Sequence, residues 1–595
     1  MRHLTITLSF IVLLASNLHA QAPQTAWSYT IKKSATVSHG AVVSAHPLAS
    51  SIGVAILRQG GNAFDAAIAT QLALAVVYPA AGNIGGGGFM VAHIQKSTAG
   101  ALKGAQKSTA GALKGAAAGG ANIALDYREK APSAAVRDMY LDASGNPRTD
   151  LSQNGHLASG VPGTIAGIFA ELKYAKFRFP RLIQPAIDLA EKGFIITEAE
   201  ARSLNGNQQS FARYNTIPPV FIKAEGWKAG DTLIQKDLAA TLCRVRDQGA
   251  RGFYEGTTAR LILEEMQRGK GIITAADLKG YAAKERAAAV FPYKNYTIVT
   301  MPLPSSGGVV LQQMLKMAAT QPLPDYGFAS VKAIHLMTEV ERLAYADRAQ
   351  YLGDKDYYSV PVTTLTSTAY LRRRMADIPA DKAGSSKEIQ AGVLNPASEE
   401  TTHFEVIDKE GNAVSITTTL NGGYGSKVVV GGAGFLLNNE MDDFSVKPGV
   451  PNMYGAVGNE ANAIAPGKRM LSSMTPTLVL QKGGSIYLAI GTPGGTTITT
   501  SVFQTIVDLL DFHLTPDEAV NKPKFHHQWL PDILYVEKGF PADTLDRLRT
   551  MGYTIEQRGS IGRTEVIRVL PGEAGKPRQI EAVGDNRGDD TAEGY

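Results

Sequence analysis

The residues most able to do chemistry lie in Glu399-Glu400-Thr401-Thr402-His403-Phe404, with Thr419-Leu420-Asn421 a hairpin's length further on. A threonine hydroxyl is a poor nucleophile until a base sits beside it, and a free α-amine on the same residue can be that base. The amine exists only once the preceding peptide bond is broken. This reading therefore demands self-cleavage between Glu400 and Thr401, with Thr401 as the nucleophile. The elements that must position it can be read nearby. Thr402 to Ile407 reads as a strand, with Phe404 and Val406 on one face. Residues 408–412 carry turn chemistry, with Gly411 and Asn412 able to take positive φ. Residues 413–420 are rich in β-branched types and read as the return strand. A hairpin centred on Glu410 sets Val406 opposite Val414, Phe404 opposite Ile416 and Thr401 opposite Thr419. Cross-strand partners lie about 4.5–5.5 Å apart at Cβ, so a second hydroxyl falls beside the first. Taken alone, the same pattern also suits a Thr-rich hairpin whose polar face meets solvent.

Thr401-Thr402-His403, Asp408-Lys409-Glu410-Gly411-Asn412-Ala413-Val414 and Thr417-x-Thr419-Leu420-Asn421 resemble the start of the small subunit of the γ-glutamyltranspeptidase family. Four blocks are similar to its large subunit: Gly82-Asn83-Ile84-Gly85-Gly86-Gly87-Gly88-Phe89-Met90, Leu125-Asp126-Tyr127-Arg128-Glu129-Lys130-Ala131-Pro132, Ser159-Gly160-Val161-Pro162-Gly163 and Pro304-Ser305-Ser306-Gly307-Gly308. Asn438-Asn439-Glu440-Met441-Asp442-Asp443-Phe444, Leu471-Ser472-Ser473-Met474 and Gly491-x-Pro493-Gly494-Gly495 resemble its small subunit. The blocks keep the family's order from about residue 35 to Gly594-Tyr595.

The resemblance implies a fold and a reaction. The fold is of α/β (α+β) class, the four-layer α-β-β-α sandwich of the N-terminal-nucleophile hydrolases. A precursor would cut itself into a large subunit, 21–400, and a small subunit, 401–595, held together as a heterodimer. Thr401 would attack the γ-carbonyl of glutathione or another γ-glutamyl amide, then pass the acyl group to water or to an acceptor amino acid or dipeptide. Thr419 is the accompanying catalytic hydroxyl. Gly494-Gly495 could present backbone N–H groups to an anion, and the resemblance assigns the pair to the oxyanion hole; a plain strand-to-helix turn is the alternative. Ser472 and Ser473 hold the substrate α-carboxylate in the family, and Arg128 can offer the same carboxylate a bidentate guanidinium, although an arginine there suits a surface ion pair equally. Asn421, Glu440 and Asp443 would accept from the α-ammonium. Residues 448–459, rich in Gly, Pro and Asn, read as a loop long enough to fold over a cleft; the resemblance makes it a lid with Tyr454 gating the nucleophile. No cofactor and no metal is implied. Two alternatives stay open: an amidase or acylase for another acyl group, such as glutaryl or poly-γ-glutamate, and a secreted binding protein without catalysis.

Composition narrows the class. With 44% hydrophobic and 19% charged residues, the 595-residue chain is ordinary globular material. Net charge is +5, with basic and acidic residues interspersed, which argues against nucleic acid as a partner. Met1-Arg2-His3, the apolar run from Leu4 to Ser16 and a small-residue site near Ala20 form a signal peptide, residues 1–20, and point to a periplasmic or secreted protein. The run is too short for a membrane span, which needs about 20 residues. The single cysteine, Cys243, rules out an internal disulfide and reads as helix packing.

Residues 49–58 read as a helix stopped by Gly60-Gly61, and Asn62 as the N-cap of a second helix ending before Pro79. An 11-residue sequence repeats in tandem over 95–116 and reads as a surface insertion between paired strands. Residues 180–390 fit a helical layer. Residues 477–480 and 486–490 form another hairpin signal. His526-His527 lacks a completing metal-ligand pattern, Gly85 to Gly88 lacks the dinucleotide context, and Ser305-Ser306 reads as a helix N-cap.

Overall fold

The computed structural model describes residues 27–95, 120–376, 378–389, 401–572 and 577–595. The expected leader, all of the tandem repeat beyond Gln95, and Glu400 lie outside them.

Side-chain alternation along the strands dictates the layers. In Thr402–Ile407, Phe404 and Val406 join a core formed with helices Pro47–Arg58 and Ala63–Val77. Ile407, on the other face, joins a separate core with Val43, Val91, Leu478 and Ile567. A strand buried on both faces must be covered on both, and here one cover is helical and the other is a second sheet. The first sheet runs Thr591–Gly594, Ala41–Ser44, Thr402–Ile407, Ala413–Thr419, Gly87–Ile94, Ala121–Asp126, Lys284–Arg286. The second runs Ser34–Val37, Gln579–Val583, Glu565–Leu570, Ile486–Gly491, Thr477–Leu480, Tyr296–Thr300, Ala289–Tyr293. Every pairing within both is antiparallel. On the second sheet Ala489 and Ile567 face inward, whereas Leu488, Ile490 and Val566 pack outward against Gly307–Ala318, Val331–Tyr351 and Thr497–Leu510. The order is helix, sheet, sheet, helix.

Local signals hold at the first helices. Asn62 accepts from Asp65 N at 3.0 Å while Asp65 Oδ2 accepts from Asn62 N at 2.8 Å, a reciprocal cap before Ala63–Val77. The stretch 180–390 departs from the expected single helical layer. Phe179–Lys192 and Lys236–Gln248 cover the first sheet, and Gly307–Ala318 and Val331–Tyr351 cover the second. Between them three short strands, Lys284–Arg286, Ala289–Tyr293 and Tyr296–Thr300, enter both sheets. Their signal is weak for a physical reason. Lys284–Arg286 and Ala289–Tyr293 are edge strands, the first wholly charged and the second carrying Pro292, both marks of protected edges. Cys243 is half-buried at the margin of the first helical core. Among the described residues no helix is long and apolar enough to cross a membrane.

Candidate active site

The hairpin forms with the register its turn predicts: Val406 opposite Val414, Phe404 opposite Ile416, Thr402 opposite Thr418. Asp408 ties the turn, accepting from Glu410 N at 2.9 Å and Asn412 N at 3.0 Å, and its other oxygen accepts from Ala63 N at the start of a helix. Gly411 alone takes positive φ, at 87°. Thr401 lies buried one residue beyond the last pair, where the same register sets it beside Thr419. The glycine run explains itself here. Gly86 and Gly88 lie so close to the return strand that a Cβ would sit 2.1 Å from Thr419 O and 2.6 Å from Thr417 O.

Thr401 and Thr419 line one cavity with Arg128, Asn421, Asp443, Tyr454, Ser472, Ser473 and Gly495. These residues come from both sheets' ends and from loops hundreds of positions apart. The cavity holds about 20 Å³, space for roughly one water. Asn421 has left-handed backbone, φ 77°, and its N–H donates to Thr419 Oγ1 at 2.8 Å. Gly494 and Gly495 take φ of 134° and 49° just before Thr497–Leu510, a turn open to glycine and costly for other residues. Gly494 lines a second cavity on Thr401 instead of the first.

Arg128 is buried and engaged. Its Nη1 lies 2.6 Å from Glu440 Oε2, its Nη2 contacts Asp443 Oδ2, and Glu129 stands 3.8 Å away. Glu440 does not line the cavity; it backs Arg128 from behind. Burial disfavours the charged guanidinium, but Glu440 and Asp443 more than offset this and hold Arg128 protonated. Burial pushes all three carboxyls up, Glu129 to about 8, with Arg128 opposing. Arg348, also buried at this cavity, opposes the rise at Asp443 as well.

Two residues at the cavity escaped the sequence reading. Arg348, on the long helix Val331–Tyr351, donates to Ser473 Oγ and Ser306 Oγ, each at 3.1 Å. Asn452 Nδ2 donates to Asp443 Oδ1 at 2.8 Å. Arg348 carries no local signal, because it sits 125 positions from Ser473 in a charge-rich helix. Asn452 lay in plain view but reads as a turn former in a loop of turn formers. The Ser305-Ser306 expectation holds in part: Ser305 Oγ accepts from Gly307 N at 3.1 Å. Ser306 precedes helix Gly307–Ala318 yet makes no side-chain cap. Its hydroxyl donates to Ser472 O at 2.7 Å and Ser305's to Met474 O at 2.6 Å, so this turn clamps the segment bearing Ser472 and Ser473.

The loop 448–459 crosses the cavity, with Tyr454 and Ala456 in its wall. Adjacent acids fasten it: Met453 N donates to Asp442 Oδ2 at 2.7 Å, next to the Asn452–Asp443 bond. His526 and His527 have ring nitrogens engaged by Thr500, Gln528, Asp532 and Trp529 N, and burial holds them neutral, at about 3 and about 4.

Behind Thr401, the inner hairpin face continues as a polar stripe. His403 Nδ1 lies 2.9 Å from Thr417 Oγ1 and Nε2 2.5 Å from Glu405 Oε1, which also accepts from Ser415 Oγ at 3.0 Å. Burial lowers His403 to about 3 and raises Glu405 well above the carboxylate range. Burial thus favours the neutral form of both groups, and in that form a Glu405 O–H can donate to Nε2 while Nδ1–H faces Thr417 Oγ1. Gly491 of the facing sheet makes room; a Cβ there would lie 2.2 Å from the ring.

Two antiparallel sheets face to face between helical layers, with the candidate nucleophile at a strand's head, define the architecture of the N-terminal-nucleophile hydrolases. The chain belongs to the γ-glutamyltranspeptidase family: the family model described as Gamma-glutamyltranspeptidase matches residues 49–115 and 112–595. The glutathione hydrolase proenzyme of Escherichia coli is 44% identical over 550 residues, covering 91% of each chain. That of Pseudomonas aeruginosa is 42% identical over 561 residues, covering 93% of this chain and 94% of the relative. The crystal structure of Helicobacter pylori γ-glutamyltranspeptidase is 43% identical with a TM-score of 0.53, covering 58% of this chain and 94% of that one. A cephalosporin acylase from Bacillus halodurans shares the fold, with a TM-score of 0.78 over 97% of this chain and 99% of that one, at 23% identity.

Proposed function

We propose that this chain is a self-processing γ-glutamyltransferase and glutathione hydrolase, exported to the periplasm or beyond. Cleavage between Glu400 and Thr401 divides it into residues 21–400 and 401–595, which remain associated. Thr401 Oγ then attacks the γ-carbonyl carbon, its own α-amine takes the hydroxyl proton, and the same proton passes to the leaving amine. Gly494 and Gly495 supply backbone donors for the oxyanion, and Thr419 holds the nucleophile's oxygen and amine in place. Water or an acceptor amine releases the acyl group.

The observation that carries this reading is the meeting of Thr401 with a zwitterion's complement in one cavity. Arg128, Ser472 and Ser473 suit an α-carboxylate, and Asn421 and Asp443 an α-ammonium. Glu440 serves by holding Arg128. Asn421 and Asp443 offer acceptor oxygens at the cavity wall for an α-ammonium, a group that a glutaryl or other plain acyl group lacks. Tyr454 and its loop must lift to admit it, since the cavity as closed takes only about one water. The test is direct. Purified protein should run as two bands, the smaller beginning Thr-Thr-His-Phe, and should release p-nitroaniline from γ-glutamyl-p-nitroanilide faster than from glutaryl-p-nitroanilide. A single uncut band, or a preference for the glutaryl compound, overturns it.

A further inference from the structure

Arg348 is buried near the end of the long helix Val331–Tyr351 and bridges two segments that the sequence keeps far apart. Its Nε donates to Ser306 Oγ and its Nη2 to Ser473 Oγ, each at 3.1 Å. Arg348 and Ser473 both line the small cavity on Thr401. Ser306 passes the restraint on, donating its own O–H to Ser472 O at 2.7 Å. One guanidinium therefore fixes the side chain of Ser473 directly and the backbone of Ser472 through Ser306.

Hydrogen-bond direction gives this bridge a chemical meaning. A guanidinium only donates, whereas a hydroxyl carries a single hydrogen and also accepts. Toward Arg348 Nη2, Ser473 Oγ can therefore only accept. Ser472 Oγ likewise accepts from Met474 N at 3.2 Å. Among the described residues neither hydroxyl donates to a protein acceptor, so both hydrogens are left for a ligand. We infer that Arg348 is a positioning residue for the γ-glutamyl head group: it holds Ser473 as a hydrogen-bond donor aimed into the cavity, toward the substrate's α-carboxylate. The inference rests on the proposed function and adds a residue to its binding step. A lone serine hydroxyl would have to be ordered when substrate arrives. One already held by Arg348 is pre-organised, which lowers the cost of binding. Shape matters here as well as charge. The planar fork reaches Ser306 and Ser473 from two of its nitrogens at once, a geometry that the point charge of a lysine cannot reproduce.

The test measures KM for γ-glutamyl-p-nitroanilide in the processed protein, for Arg348→Met, Arg348→Lys, Ser473→Ala and the double variant of Arg348→Met with Ser473→Ala. KM does not depend on how much of a preparation is folded. Arg348→Met should raise KM about tenfold, the loss of one charge-assisted contact, and should change kcat much less. Arg348→Lys should recover only part of that loss. In the double variant the two effects should not multiply, because Arg348 acts through the hydroxyl that Ser473→Ala removes; KM should stay within about threefold of the worse single variant. If Arg348→Met yields no processed protein, Arg348→Lys takes its place, alone and combined with Ser473→Ala. A KM raised less than about threefold by the Arg348 variants overturns the inference. So does full recovery by lysine, which would reduce the role to charge, and so do single effects that multiply, which would give Arg348 a role independent of Ser473. A wild type that releases no p-nitroaniline fails the proposed function; an active wild type with unmoved variants fails this inference alone.

Discussion

The two faces of one hairpin are equally buried and chemically opposite. Phe404, Val406, Val414 and Ile416 face the helices; His403, Glu405, Ser415 and Thr417 face the other sheet; all eight are fully enclosed. The outer face is held by non-directional burial, about 25 cal/mol per Å². The inner face is held by directed hydrogen bonds, each of modest net worth but costly to leave unmade. The outer face therefore sets how stable the hairpin is, and the inner face sets where its leading residue, Thr401, points.

Substitutions along the hairpin would break or sharpen that contrast. The largest effect is at its head: Thr401→Ala should remain a single folded chain with no detectable anilide hydrolysis, and a cut product would move the nucleophile elsewhere. On the outer face, Phe404→Ala should destabilise by about 3–5 kcal/mol in urea unfolding, the usual result of truncating a core phenylalanine. On the inner face, Thr417→Val should cost about 1–3 kcal/mol by stranding His403 Nδ1–H, and should lower kcat more than KM if the stripe positions Thr401. The smallest change is Glu405→Gln, within about 1 kcal/mol at pH 5, since the native carboxyl is already neutral and the amide keeps its shape.

The same stripe predicts opposite pH slopes. Glu405 has a folded pKa raised above its unfolded value of about 4.3. Its contribution is complete below that value and lost as pH rises through the folded pKa. His403 is depressed to about 3 from an unfolded value of 6.5. Its contribution is present above 6.5 and lost as pH falls toward 3. Melting temperature against pH should therefore show Glu405→Gln gaining on wild type as pH rises above about 5. A difference that stays flat from pH 5 to 8 would mean that Glu405 is ionised in the folded state.

Much of this hairpin was legible in the sequence. Period-two alternation and a turn rich in Gly and Asn fix strand, turn and register. Its polar face reads as solvent-facing, because polarity is local information and burial is not: nothing near His403 announces that Gly491 will cover it. The cavity shows the same limit. Arg128, Asp443, Ser472 and Ser473 were found through motif blocks, whereas Arg348 reaches Ser473 from a helix whose sequence speaks only of packing and charge. The order of the strands was not legible, since non-local pairing leaves no periodic mark.

That strand order has a consequence for a severed chain. In the first sheet, Thr591–Gly594 lies against Ala41–Ser44, which lies against Thr402–Ile407, and Ala413–Thr419 lies against Gly87–Ile94. In the second, Ser34–Val37 and Tyr296–Thr300 flank four strands from beyond residue 401. A break before Thr401 would leave two polypeptides woven through each other in both sheets. Neither could leave without dismantling its partner. The chain would have folded the first time as one tethered molecule; afterwards, regaining the same weave would require two strangers to meet in solution, at a rate that falls with dilution. Durability in the cut state would then be a matter of how slowly the weave opens rather than how readily it re-forms.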